Sequence, residues 1–224
     1  MCIVSFVIND DEFILTFNRD ESAFRPATAP HWFTENGKQI FAPIDNSKGG
    51  TWIGFNGKII FCLQNGAFEK HVRHTPYRMS RGLLLKQLLL EELVMEDLNS
   101  KLLDNIEPFT LSAFDKGTGL LNVLRFDSHT LTRNNYSPQP GLVNCSATLY
   151  NAEARAIIQK RFDDLPVKQT EVLMNFHKQH KIGSVNNTFT SVVPTVSITQ
   201  FIWDNKGIHS RYYDCQTGEE HVSV

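Results

Sequence analysis

The strongest constraint on this chain is a pair of apolar runs rich in β-branched and aromatic residues, separated by turn-forming residues. CIVSFVI at 2–8 and FILTFN at 13–18 flank the tetrapeptide NDDE. Such runs are poor helices and good strands, and their spacing predicts an N-terminal antiparallel hairpin. If Asp10 and Asp11 form a two-residue turn, Asn9 faces Glu12. Stepping outward along the ladder then sets Cys2 opposite Arg19.

The rest of the chain alternates between similar strand signals and helical ones. Residues 22–50 hold three prolines and DNSKGG, and are expected to be mostly loop. GGTWIGFNGKIIFCLQN predicts a second hairpin around an Asn-Gly turn. TPYRMSRGLLLKQLLLEELVMEDL predicts a long buried helix with Thr75 as its cap and Pro76 in its first position. Strands are expected at PFTLSAFD and LLNVLRFD, joined by KGTG, and helices at LYNAEARAIIQKRFDDL and KQTEVLMNFHKQHK. TVSITQFIWD and IHSRYYD close the chain as a hairpin around NKG. Hairpins at both ends with helices between predict an α+β fold of antiparallel sheets with helices on their outer faces. No linker divides residues 1–224, which are expected to form a single domain.

The 224 residues are 41% hydrophobic and 21% charged, with a formal net charge of −2. That balance fits a globular chain, and offers no field for nucleic acid or a membrane surface. Cys2, Cys62, Cys145 and Cys215 form no CxxC pair and suggest reduced thiols. The apolar run 2–8 is too short for a signal-peptide core or a membrane span, so a cytoplasmic location is expected. No Walker loop, dinucleotide fingerprint or HExxH occurs. No cofactor or metal is expected, and the partner expected is a small-molecule substrate.

Cys2 carries the most chemistry. If Met1 is removed, its α-amine has a pKa of about 7.7–8.0 and its thiol one of about 8.5. One residue then supplies both base and nucleophile. Arg19 would hold the thiolate, and Asp20 would orient the ammonium or grip the guanidinium. Position and pairing alone equally allow Cys2 to be a small packing residue of a buried strand.

MCIVSF, FNRDES followed by RPA, GGTWIGFN and SATLYNAEAR together resemble the NRDE family, to which transport and Golgi organisation protein 2 is related. These stretches span residues 1 to about 155, and TVSITQ fits more loosely. The family is similar to N-terminal nucleophile hydrolases, in particular penicillin V acylases and bile-salt hydrolases. The resemblance implies a four-layered αββα sandwich in which an N-terminal cysteine attacks an amide. On this chain it implies Cys2 as nucleophile, with Arg19 and Asp20 assisting and Asn65 and Asn144 as oxyanion donors. Asn18, Arg78 and Arg81 are expected to contact substrate. Two departures stand out. Those hydrolases place two residues between their arginine and aspartate, whereas Arg19 and Asp20 are adjacent. They also carry a further arginine near their C-terminal strands. TSVVPTVSIT has none, so that role is either lost or taken by Arg211.

Arg78 and Arg81 belong to EKHVRHTPYRMSR, with Lys70, His71, Arg73 and His74. Such a run either receives an anionic substrate group or is a solvated loop and helix start. The i, i+3 pairs His71/His74 and His177/His180 lack a third metal-ligand pattern, and the lysines beside the second suggest an exposed surface. Three functions are then open. One is a cysteine amidohydrolase acting on a carbon–nitrogen bond. The second is a non-catalytic carrier of the same fold for haem or a lipid-like acyl metabolite. The third, a glutamine-using amidotransferase domain, lacks a visible glutamine-binding signature.

Overall fold

A computed structural model describes residues 3–9, 12–139, 141–180 and 193–223. Strands β1 (Ile3–Ile8) and β2 (Phe13–Asp20) form the expected hairpin. Its register runs from Val4↔Phe17 to Ile8↔Phe13. The Asn9 amide donates to the Glu12 carbonyl at 2.9 Å, as the turn arithmetic requires. The chain then enters a second unit, residues 25–137, before returning to the first.

That second unit is an antiparallel meander. Its strands are β3 (His31–Glu35), β4 (Lys38–Ala42), β5 (Ile53–Phe55) and β6 (Ile59–Asn65), then β7 (Phe109–Asp115), β8 (Leu120–Phe126) and β9 (Leu131–Tyr136), in spatial order. Helix α1 (Arg81–Leu89) lies between β6 and β7 in sequence. Its Leu84, Leu85, Leu88 and Leu89 pack on Phe61, Leu63, Phe109 and Leu111.

Back in the first unit come β10 (Leu142–Cys145), α2 (Ala152–Asp163) and α3 (Thr170–Gln179). The chain ends in β11 (Thr195–Trp203), β12 (Ile208–Asp214) and β13 (Glu220–Ser223). The sheet order is β10-β1-β2-β11-β12-β13, antiparallel throughout. Ala154, Ile158 and Phe162, spaced four apart on α2, join Leu173 and Phe176 of α3 over Ile3, Val7 and Ile14. The fold class is α+β, two antiparallel sheets with helices against them, as expected.

Several local expectations need correcting. Residues 31–42, expected as loop, are a hairpin turned by Asn36 and Gly37, both with positive φ (51° and 74°). The Asn-Gly signal was present, but the prolines around it masked the strands. The long helix from Pro76 is instead the nine-residue α1, capped by Ser80, whose side chain accepts from the Leu83 amide. Residues 78–79 are drawn away from helix by the Arg78 amide bonding Asn105 O at 2.9 Å and by a Met79–Ile106 bridge. The far end stops in a Schellman motif, with Glu91 left-handed (φ 57°) and the Glu92 amide returning to Gln87 O at 2.9 Å. Strands β9, β10 and β13 were not foreseen, being short or polar and specified by neighbouring strands.

The Gly-Gly-Thr-Trp stretch has a packing explanation. A Cβ on Gly50 would lie 2.7 Å from the Gly82 carbonyl carbon, where loop backbone meets the first turn of α1. The Thr51 amide donates to Gly82 O at 3.2 Å across the same contact. Backbone against backbone cannot yield as a side chain can. Gly50→Ala is therefore expected to lower the urea midpoint by an amount equivalent to about 1–3 kcal/mol, and an unchanged midpoint would contradict this contact.

Candidate active site

Strand β2 carries three of the expected residues in a row, and its pleat sends them to two faces. Successive side chains alternate, so Thr16, Asn18 and Asp20 share one face while Phe17 and Arg19 share the other. The register extends both faces across the sheet. Val4 pairs with Phe17 and with Asn144, placing Asn144 on the face of Arg19. On the other side Arg19 pairs with Ser197, and Phe17 with Thr199, which pairs with Tyr212. Arg19 is only 5% exposed. Burial raises the Tyr212 phenol pKa, and the charge of Arg19 acts in the opposite direction.

Asp20 lies on the face bearing the helices and is fully buried. Tyr150 donates its hydroxyl to Oδ2 at 3.2 Å, and Thr195 donates to Oδ1 at 2.5 Å. A β-bulge makes the second bond available. Arg19 faces Ser197 but Asp20 faces Thr195, so Val196 is the extra residue and Thr195 is brought opposite the carboxylate. Burial pushes the Asp20 pKa from 3.8 to about 6, against the pull of the two hydroxyl donors. Cys145, paired with Ile3, is pushed up to about 12 by burial, so it stays a neutral thiol.

Asn18, expected at the substrate, is instead engaged inside the first unit. Its Nδ2 donates to the His177 carbonyl at 3.2 Å, and its Oδ1 receives the His177 Nδ1–H at 2.6 Å. The other ring nitrogen, Nε2, is 2.8 Å from Ser5 Oγ. All three residues are fully buried. The His177/His180 pair therefore does not lie on an exposed surface as expected. His180 donates Nδ1–H to Phe176 O at 2.7 Å and accepts from Arg161 at 3.3 Å. Both rings spend their nitrogens on protein groups, and no cluster of three or more potential metal ligands occurs among the described residues.

In the second unit, Asn65 ends β6 opposite Phe109 and is half-buried. Arg78 donates to the carbonyls of Leu102 (2.5 Å) and Asp104 (3.3 Å). Arg81 pairs with the buried Glu107 at 2.9 Å and donates to Pro108 O at 2.9 Å. His71 and Arg73 converge on the same Glu107 carboxylate, at 3.1 and 3.0 Å. The basic run is a largely exposed loop and helix start, as one of the two expectations had it, but several of its cations are held by protein groups. It fastens residues 71–81 to the segment before β7. Arg211 cannot double for a late arginine on the face of Arg19. It pairs with Gln200, on the opposite face, and binds Glu171 of α3 and Glu220 of β13. Cys2 lies outside the described residues.

A sequence profile of the transport and Golgi organisation 2 family matches residues 1–205. The chain belongs to this family. Among solved structures, penicillin V acylase from Agrobacterium tumefaciens is similar over 99% of this chain and 85% of that one, with a TM-score of 0.61 and 8% identity. A variant of conjugated bile acid hydrolase from Clostridium perfringens gives 0.57 at 10% identity, covering 99% and 92% of the two chains. A second variant of that hydrolase gives 0.51 at 10% identity over 100% and 97%. At such identities the likeness is one of fold, that of the N-terminal nucleophile hydrolases. No curated protein matches the sequence. No helix among the described residues is long and apolar enough to cross a membrane.

Ser5, Tyr150, His177 and Thr195 form the surroundings of Asn18 and Asp20, a role the sequence reading did not foresee for them. Tyr150 sits inside the SATLYNAEAR stretch, so a signal existed for it. For the others only the tertiary neighbours reveal a role. Because the folded pKa of Asp20 is raised, its protonation stabilises the folded chain below pH 3.8, and this contribution is lost as pH rises through 6. The stability of Asp20→Asn relative to the parent chain should therefore rise by up to about 3 kcal/mol between pH 3.5 and 7.5. Urea unfolding at the two pH values measures this, and a constant difference would refute the raised pKa.

Proposed function

We propose that this member of the transport and Golgi organisation 2 family is a cysteine hydrolase of the N-terminal nucleophile type. Its substrate would be a small acylated metabolite with a linear amide bond. The observation that carries the reading is Arg19, a buried cation at the end of β2, in a hairpin whose register agrees with the expected pairing of Cys2 with Arg19. The shared fold with a penicillin V acylase supports it.

Removal of Met1 frees the α-amine of Cys2. The amine takes the thiol proton, and the thiolate attacks the amide carbonyl carbon. Arg19 stabilises the thiolate, Asn144 of the same unit is assigned as a donor to the oxyanion, and Asn65 is kept as a donor on the family resemblance alone. Of the two, Asn144 shares a sheet face with Arg19 and is the better supported. The C–N bond breaks as the ammonium returns its proton to the leaving amine. The α-amine then deprotonates a water, whose oxygen attacks the thioester. The acid leaves and the thiol is restored. Asp20 stands behind this face, where its hydroxyl donors hold the end of β2 against β11 and Tyr150. Arg78 and Arg81 are left with the structural contacts described above.

A slowly hydrolysed acyl compound should add one acyl mass to the untagged protein, on a chain lacking Met1. Cys2→Ala should fold and show no adduct. Retained Met1 in the active protein, or undiminished turnover by Cys2→Ala, would overturn the proposal.

A further inference from the structure

Ser5, His177 and Asn18 form a buried relay that the proposed chemistry does not use. In spacing it resembles a nucleophile, base and orienter, with contacts of 2.8 and 2.6 Å. All three side chains are fully buried. A reacting group could not reach Ser5, so the relay must act on the protein itself.

Its donors and acceptors are determined by the bonds around it. Asn18 Nδ2 donates to the His177 main-chain carbonyl in the last turn of α3, which also receives the His180 amide at 3.3 Å. The Asn18 side-chain oxygen must then face the ring, so Nδ1 carries the proton and Nε2 accepts from the Ser5 hydroxyl. Asn18 thus grips both the backbone and the ring of one helical residue. The rotamer freedom of the ring is removed by Ser5 on the neighbouring strand. Asn18 immediately precedes Arg19, whose side chain leaves the strand on the other face. A shift or rotation of β2 at Asn18 would displace the guanidinium directly. Burial lowers the His177 pKa to about 3, with His180 contributing, so the ring stays neutral and keeps these roles at physiological pH.

We propose that His177 is a positioning residue for Arg19: its bracket with Asn18 anchors the end of β2 to α3 and so holds the guanidinium where it can stabilise the thiolate. This rests on the reading of Cys2 and Arg19 as a reactive pair.

The relay has two arms that conservative variants separate. In His177→Asn the side-chain amide can donate to Asn18 but does not reach Ser5. In His177→Gln the longer amide reaches Ser5 but lacks the donor at the Nδ1 position. The readout is the rate of Cys2 alkylation by iodoacetamide against pH, assigned to the N-terminal peptide by mass spectrometry so that Cys215 does not interfere. The parent chain should show a midpoint below the ordinary thiol value of about 8.5, because a cation nearby favours the thiolate. His177→Gln should move that midpoint up by about 1 pH unit, whereas His177→Asn should stay near the parent value even if both lower the melting temperature. Equal midpoints in the two variants would overturn the positioning role and leave only a structural one. Ser5→Ala, which loses a single bond and keeps the bracket, should also retain the parent midpoint, and a shift there is equally fatal. It serves as the deciding variant if either His177 chain does not fold. An ordinary thiol midpoint in the parent chain would instead refute the reactive pair, and this inference with it.

Discussion

Strand β2 is hydrogen-bonded on both edges and buried along its whole length, and the first unit is organised around that condition. A strand in this position has no freedom of register. Side chains alternate with a period of two, so a slip by one residue would exchange Arg19 with Asn18 or Asp20 and reverse both faces. The slip would also bury a guanidinium among Ile3, Val7 and Ile14, without the partners it would need. Register and chemistry are therefore one constraint. β1 supplies it from one side, and β11 from the other with a bulge at its first residues.

The helix-bearing face of β2 shows how polar groups are accommodated at such depth. Thr16 receives the Gln200 side-chain amide, Asn18 engages His177, and Asp20 is held by Tyr150 and Thr195. Each would cost roughly 1–3 kcal/mol if left unsatisfied. These bonds tie β2 to β11 at two points, to α3 and to Tyr150, so the polar row fixes the strand's position more narrowly than apolar contacts of the same size would. The second unit applies the same logic at Glu107, whose buried carboxylate gathers His71, Arg73 and Arg81. A run of charges in sequence thereby becomes a fastening for the segment leading into α1.

Much of this was legible in the chain. Strand type, the hairpin register and the strand-flanking helices follow from short-range chemistry, namely β-branched runs, two-residue turns and helical spacing. The family motifs likewise pointed to the end of β2. What escaped were decisions made by partners distant in sequence. Ser80 caps α1 in preference to Thr75 because residues 78 and 79 are already bound to 105 and 106. His177 beside a lysine reads as surface until Asn18, 159 residues earlier, is found against it.

The sequence by itself determined an α+β chain of hairpins and amphipathic helices, with a cysteine second and an arginine and aspartate closing the second strand. These are local facts, set by residue type and by periods of two and 3.6. Only the tertiary structure decided which way the adjacent Arg19 and Asp20 point and what holds them. It turned Asp20 toward Tyr150 and Thr195, gave Asn18 to His177, and committed Arg81 and Arg211 to carboxylates. The physical reason is burial: a polar group removed from water must find its partner wherever the fold brings one, and sequence distance has no part in that choice.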